Sequence, residues 1–216
     1  MPISLDLYAD LVCPWCWIGE RRLMAALKIV AESHPDEEFD LTWRPFQLDP
    51  SMPVEGRDFD TFVNEKFGGR ERAMPMFARV TEAGAPDGVP FHFERITHFP
   101  NTARAHALVL HAQQTGRKVW PLVEDLFAAH FERGEDTGDL NTLVGIAMRH
   151  GISGTDAHDV LSTGRYELDV QQSQKEAARL GIQGVPFVVL DNRYGVSGAQ
   201  PLSVFVEALT RVEADR

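Results

Sequence analysis

Cys13 and Cys16 are the two cysteines of this 216-residue chain, and they bracket Pro14 and Trp15 in Cys13-Pro14-Trp15-Cys16. Two thiols at this spacing can exchange a pair of electrons with a disulfide, supply half of a metal site, or pack as small apolar residues. A structural zinc would need two more ligands. The chain has eight histidines, but none forms an H-x3-H pair, and the closest pair, His106 and His111, would leave a helix in different directions. No metal site is therefore expected. Covalent haem is excluded because Trp17, not histidine, follows Cys16. Two cysteines flanking Pro-Trp at a helix start weigh against inert packing, which leaves dithiol–disulfide exchange as the favoured chemistry.

The flanking pattern assigns roles to the two sulfurs. Ile3, Leu5 and Leu7 alternate with Ser4, Asp6 and Tyr8, the period of a strand. From Pro14 to about Glu32 the pattern turns helical, with Leu23, Leu27 and Val30 on one face and His34-Pro35-Asp36 closing the run. Cys13 thus stands where a helix begins, beside unpaired backbone N–H groups and the positive end of the macrodipole, both of which favour a thiolate. Cys13, at the exposed start of the turn, is expected to be the nucleophile, and Cys16, one turn deeper, the resolving thiol. Pro14 suits the first turn because it has no N–H to leave unpaired, and Trp15 offers an apolar surface beside the sulfur. Both are candidate substrate contacts.

The rest of the chain has to hold that turn in place. Phe39 to Phe46 reads as a second strand, completing a strand, helix, strand unit whose strands should be parallel with a right-handed crossover. From about Asp58 to Leu180 strand signals nearly vanish. Phe59, Phe62 and Val63 mark one helix and Met76, Phe77 and Val80 another, followed by a Gly/Pro loop over 84–90. Asn101 is a candidate N-cap for a helix bearing Ala103, Ala107 and Leu110. Another helix follows Lys118, Asp139 caps a further one, Asp156 to Leu161 forms a short one, and Tyr166 to Leu180 ends at Gly181. Strand character returns from Gly184 to Leu190, and Asp191-Asn192-Arg193 turns the chain into a hairpin with Tyr194 to Ser197. An amphipathic helix from Pro201 closes the chain.

Composition narrows the function classes. A hydrophobic content of 44% with 25% charged residues describes a packed globular protein, and the formal net charge of -11 disfavours a general grip on nucleic acid. The arginines of Glu65 to Arg72 are interleaved with acids and read as a solvated helix face without a function. No stretch approaches the ~18 apolar residues of a membrane span, so no membrane partner is expected. Met1 to Asp10 has no basic start, apolar stretch or cleavage site, so a cytoplasmic location is expected. Phe91, Phe93, His98, Trp120 and His130 are candidates to line a groove beside the motif, although core packing is the favoured reading.

Taken together, Asp10-Leu11-Val12-Cys13-Pro14-Trp15-Cys16, Trp43-Arg44-Pro45-Phe46, Gly184-Val185-Pro186-Phe187 and Gly198-Ala199-Gln200-Pro201 resemble the DsbA family of thioredoxin-fold oxidoreductases, and within it the FrnE-like group. The resemblance implies an α/β, thioredoxin-like fold with a large inserted all-helical domain. Residues 1–50 and 181–216 would form the thioredoxin-like domain, and 51–180 the insertion. It implies that Pro186 is a cis-proline against the cysteines, catalytic with Cys13 and Cys16, and that the backbone of Val185 binds an extended substrate segment. The implied activity is thiol–disulfide oxidoreductase, disulfide isomerase action included, on protein or peptide thiols. No bound cofactor is implied, and glutathione is a candidate co-substrate. Trp15 stands where strongly oxidising members carry His, which removes a donor to the thiolate. With no cysteine after Cys16, an external redox partner must reset the pair. The alternative is a glutathione-dependent isomerase or transferase of the hydroxychromene-carboxylate isomerase or kappa-class type, which usually has Ser where this chain has Cys13. A non-catalytic binding module is a third reading, which no residue demands.

Overall fold

The computed structural model describes residues 2–215; Met1 and Arg216, which the sequence reading assigned to the thioredoxin-like domain, lie outside them. Strand β1 (Ile3–Ala9) forms as the alternation dictates, with Ile3, Leu5 and Leu7 fully buried on one face. Tyr8, on the opposite face, is also buried, because Ala177 and Ile182 cover it. Helix α1 (Pro14–Ser33) leads to β2 (Phe39–Pro45), which pairs in parallel with β1 from Ile3 opposite Phe39 to Ala9 opposite Pro45.

A run of helices separates β2 from the rest of the sheet. The two-residue strand β3 (Arg57–Asp58) precedes α2 (Phe59–Phe67) and α3 (Arg70–Gly84), and β4 (His98–Phe99) pairs back on β3. That ladder is too short to leave a period in the sequence. Helices α4 (Ala103–Gln114), α5 (Val119–Phe131), α6 (Leu140–Arg149), α7 (Gly154–Thr163) and α8 (Glu167–Arg179) follow. Strands β5 (Phe187–Leu190) and β6 (Tyr194–Ser197) and helix α9 (Leu202–Ala214) complete the chain. The sheet runs β2-β1-β5-β6, with β5 antiparallel to both β1 and β6. This is the thioredoxin-like arrangement, with helices inserted between its parallel and antiparallel parts.

Local chemistry sets the helix ends. Asp58 and Asp139 cap α2 and α6 by accepting the N–H of Thr61 and Thr142 at 2.8 Å. Helix α7 starts earlier than the sequence pattern suggests because Ser153 caps it, accepting from Asp156 N–H. Thr102, not Asn101, occupies the cap position of α4, yet the Asn101 side chain accepts the Ala103 N–H at 2.9 Å and does the capping work from one residue back. Gly68 and Gly69, with φ of 77° and 115°, divide α2 from α3, an angle that side chains with a Cβ resist.

One core joins the sheet to the helices between β2 and β5. Trp17 on α1 is fully buried and stacks on Phe127 and Phe131 of α5, each at 6.0 Å between ring centroids. Its indole N–H donates to Glu124 at 2.9 Å. Truncating such a side chain costs about 3–5 kcal/mol, several times what the half-exposed Arg21–Glu124 ion pair beside it contributes, about 1 kcal/mol or less. Packing, not charge, therefore fixes α1 against the helices.

Glu20 is the exception in that interface, a buried carboxyl beside Glu124. Burial, reinforced by the Glu124 charge, raises its pKa from 4.5 to about 8. The folded chain thus keeps a proton that the unfolded chain releases, so this group's contribution to stability is full below about pH 4.5 and is lost as pH rises through about 8. A shift of this size corresponds to a few kcal/mol, on the order of 4–5. Glu20→Gln is expected to match the wild type in thermal unfolding at pH 5 and to exceed it at pH 9. An equal offset at both pH values would contradict this.

Candidate active site

Cys13 occupies the N-cap of α1, with φ −94° and ψ 111°, and Pro14 follows in the first turn. That turn holds no acidic residue and its cap makes no side-chain hydrogen bond; Pro14 has no N–H and the Cys16 N–H donates to the Cys13 carbonyl at 3.0 Å, which leaves the Trp15 N–H to an anion at this end. The Cys13 thiol lies 3.6 Å from the Val185 carbonyl oxygen and donates to it. Val185 precedes Pro186 through a cis peptide bond. Pro186 in turn packs on α1 at Gly19, where an added Cβ would stand 2.7 Å from Pro186 Cγ. The absent side chain at Gly19 is what lets the loop before β5 reach the first turns of α1.

Six residues distant in sequence or role are thereby brought together. Cys13, Pro14, Trp15 and Val185 line a single cleft, while Cys16 and Pro186 lie behind it, both buried. The sequence reading placed Cys13 at an exposed position, and that is corrected here: the residue is 4% exposed. The reason is α2 and α3, whose Phe59, Phe62 and Phe77 close over the motif and leave a cleft of about 340 Å³ as the space bordering Cys13. Cys16 has no exposure. Burial pushes its thiol well above the ordinary cysteine value, and the adjacent Cys13 adds to the effect, partly offset by a backbone hydrogen bond from Asp10.

Asp10, just ahead of the motif, belongs to a buried polar chain whose members no sequence spacing links. Its carboxylate accepts the Leu48 N–H at 2.8 Å and pairs with His106 Nε2 at 3.2 Å. Trp43 Nε1 donates to His106 Nδ1 at 3.3 Å, so Nε2 carries the proton and donates to Asp10. Removing one partner of a buried pair costs about 3–5 kcal/mol, because it strands the other. The pair thus fixes the backbone entering Cys13 to β2 and α4.

Of the five aromatic and histidine residues considered as groove lining, Phe93 and His130 line the cleft. Phe91 packs edge-on to Trp17 at 5.5 Å, Trp120 tilts against Trp43 at 6.4 Å, and His98 Nε2 donates to the Glu55 carbonyl at 2.8 Å. Lys66, exposed on α2, also borders the cleft. Among the described residues no group of three or more His, Cys, Asp or Glu could hold a metal, and no helix is long and apolar enough to cross a membrane.

Known proteins share this fold. The model of the DSBA-like thioredoxin domain matches residues 4–210. A probable DsbA oxidoreductase from Streptomyces coelicolor is 31% identical and superposes with a TM-score of 0.89, over 99% of this chain and 91% of that one. The cytosolic disulfide reductase DsbM from Pseudomonas aeruginosa, solved with GSH, shares the fold at 20% identity and a TM-score of 0.67, over 96% and 99% of the two chains. A 2-hydroxychromene-2-carboxylate isomerase shares it at 15% identity and a TM-score of 0.65, over 98% of both chains.

Two outcomes follow from the site. Limited iodoacetamide at pH 7.5 should carboxamidomethylate Cys13 and spare Cys16, read by peptide mass mapping; preferential labelling of Cys16 would contradict the assignment of the buried sulfur. Gly19→Ala should lower stability in denaturant unfolding by roughly 1–3 kcal/mol, the cost of overpacking, because its Cβ displaces Pro186. An unchanged midpoint would show that the contact is not constraining.

Proposed function

This chain belongs to the DSBA-like thioredoxin domain family, and from that premise we propose that it is a thiol–disulfide oxidoreductase acting through Cys13 and Cys16, with protein or peptide thiols among its substrates. The observation that carries the reading is the Cys13 sulfur at the start of α1, beside the Val185 carbonyl and directly over the buried Cys16. As a thiolate at the start of α1, Cys13 attacks a substrate disulfide and expels one thiolate. Cys16 then loses its proton and attacks the Cys13 sulfur, releasing the second substrate thiolate and leaving a Cys13–Cys16 disulfide. The reverse sequence oxidises a dithiol, and isomerase action combines the two. Pro186 keeps the face of the pair clear, and the backbone of Val185 aligns an extended substrate segment by strand addition. Trp15 and Pro14 supply the apolar shoulder beside the sulfur.

An external redox partner resets the pair, with glutathione as a candidate, since the chain has no third cysteine. A cytoplasmic place of action and the likeness to the FrnE-like group belong to the same reading, the former supported by the likeness to a cytosolic disulfide reductase. The glutathione-dependent isomerase alternative is disfavoured by Cys13, where that group usually carries Ser. Insulin reduction driven by dithiothreitol should be supported by the wild type and abolished by Cys13→Ser. Activity that survives the substitution would reject the proposal.

A further inference from the structure

Exchange with an extended chain needs a reachable sulfur and a free backbone edge. This chain adds a chamber. The cleft against Cys13 encloses about 340 Å³, within the range of about 300–1,000 Å³ of small-molecule sites, and rings such as Phe62, Phe77 and Phe99 make its wall apolar. Two polar groups interrupt that wall. His130 is buried, and its Nδ1 has no protein hydrogen-bond partner among the described residues, a state that a ligand atom would relieve. Lys66 stands over the Phe62 and Phe67 rings at 5.2 and 5.9 Å, and no carboxylate pairs with it among the described residues. Among the described residues it is the one Lys or Arg bordering the cleft, in a chain of net charge -11. An isolated cation beside an apolar chamber marks the position of a ligand's anionic group.

We infer that the cleft binds a low-molecular-weight disulfide with an apolar, aromatic-sized body and a carboxylate, the body among the phenylalanines, a polar atom at His130, the carboxylate at Lys66 and the sulfur against Cys13. The inference rests on the exchange reading above and adds a substrate class to it. The disulfide is itself the oxidant. Cys13 thiolate bonds to one of its sulfurs, the S–S bond breaks, and the departing thiolate takes up the proton that Cys13 released. Cys16 then gives up its proton, bonds to Cys13 and expels the second thiolate, which is protonated in turn. Two electrons pass from the protein dithiol to the small disulfide, which leaves as two thiols.

The test is stopped-flow oxidation of the reduced protein by 4,4′-dithiobis(benzoic acid) and by bis(2-hydroxyethyl) disulfide. The aryl compound should show saturation and the hydroxyethyl compound a linear dependence on concentration. Lys66→Gln should raise half-saturation by the aryl disulfide about threefold. Met76→Trp, which enlarges a partly exposed side chain on the cleft wall, should lower the aryl-over-hydroxyethyl selectivity ratio about tenfold. Linear kinetics with both compounds, or ratios unchanged in both variants, would overturn the inference and leave the exchange reading standing. Failure of either disulfide to oxidise the pair would overturn both.

Discussion

Everything at the site depends on how closely the start of α1 approaches the Val185–Pro186 segment. The approach is made at backbone level: Gly19 offers no Cβ, Pro186 fills the space, and the Cys13 thiol reaches the Val185 carbonyl from the other side of the turn. Trp17, one turn into the helix, then fixes the helix's orientation by stacking on α5. Asp10, His106 and Trp43 fix the chain entering the motif. The cysteines are thus clamped from before, behind and beneath by groups that are themselves buried, which is how a reactive group on a turn acquires a defined geometry.

The helices between β2 and β5 change what that clamped sulfur meets. They supply α5 as a support for α1, and α2 and α3 as a cover over the motif, so the sulfur faces an apolar cleft instead of open solvent. In such a setting a charge on sulfur depends on fixed dipoles and not on bulk water, and under the proposed function the apolar wall favours substrates that gain from leaving water. The buried Cys16, whose thiol is pushed well above its ordinary value by burial, would on that proposal stay out of the first encounter and act once a bond to Cys13 has formed. The proposed division of roles rests on one sulfur sitting at a helix end and the other one turn inside.

Much of this was legible in the sequence where the signal is local. Period-two alternation in Ile3 to Tyr8, the helical spacing after Pro14, the cap Asp139 and the hairpin turn all express short-range physics, and the resemblance to a family supplied the fold that joins them. The family pattern pointed to the Val185–Pro186 segment, which the structure brings to the cysteines with a cis bond. What was not legible depends on residues far apart. The cleft is assembled from α2, α3, the segment before α4 and the end of α5, and no spacing encodes that phenylalanines at 59, 77 and 131 share one wall. For the same reason Cys13 read as exposed, although distant elements leave it 4% exposed. The signal available was compositional: nine of the 13 phenylalanines fall between positions 59 and 131.

The central claim is an order of events, capture at Cys13 and resolution by Cys16, and trapping tests it most directly. Cys16→Ser, reduced and then exposed to a disulfide substrate, should accumulate a stable mixed disulfide located at Cys13 by mass spectrometry, whereas the wild type passes through it to the internal disulfide. A Cys16→Ser protein that forms no adduct, with the adduct instead appearing on Cys16 of a Cys13→Ser protein, would contradict the account.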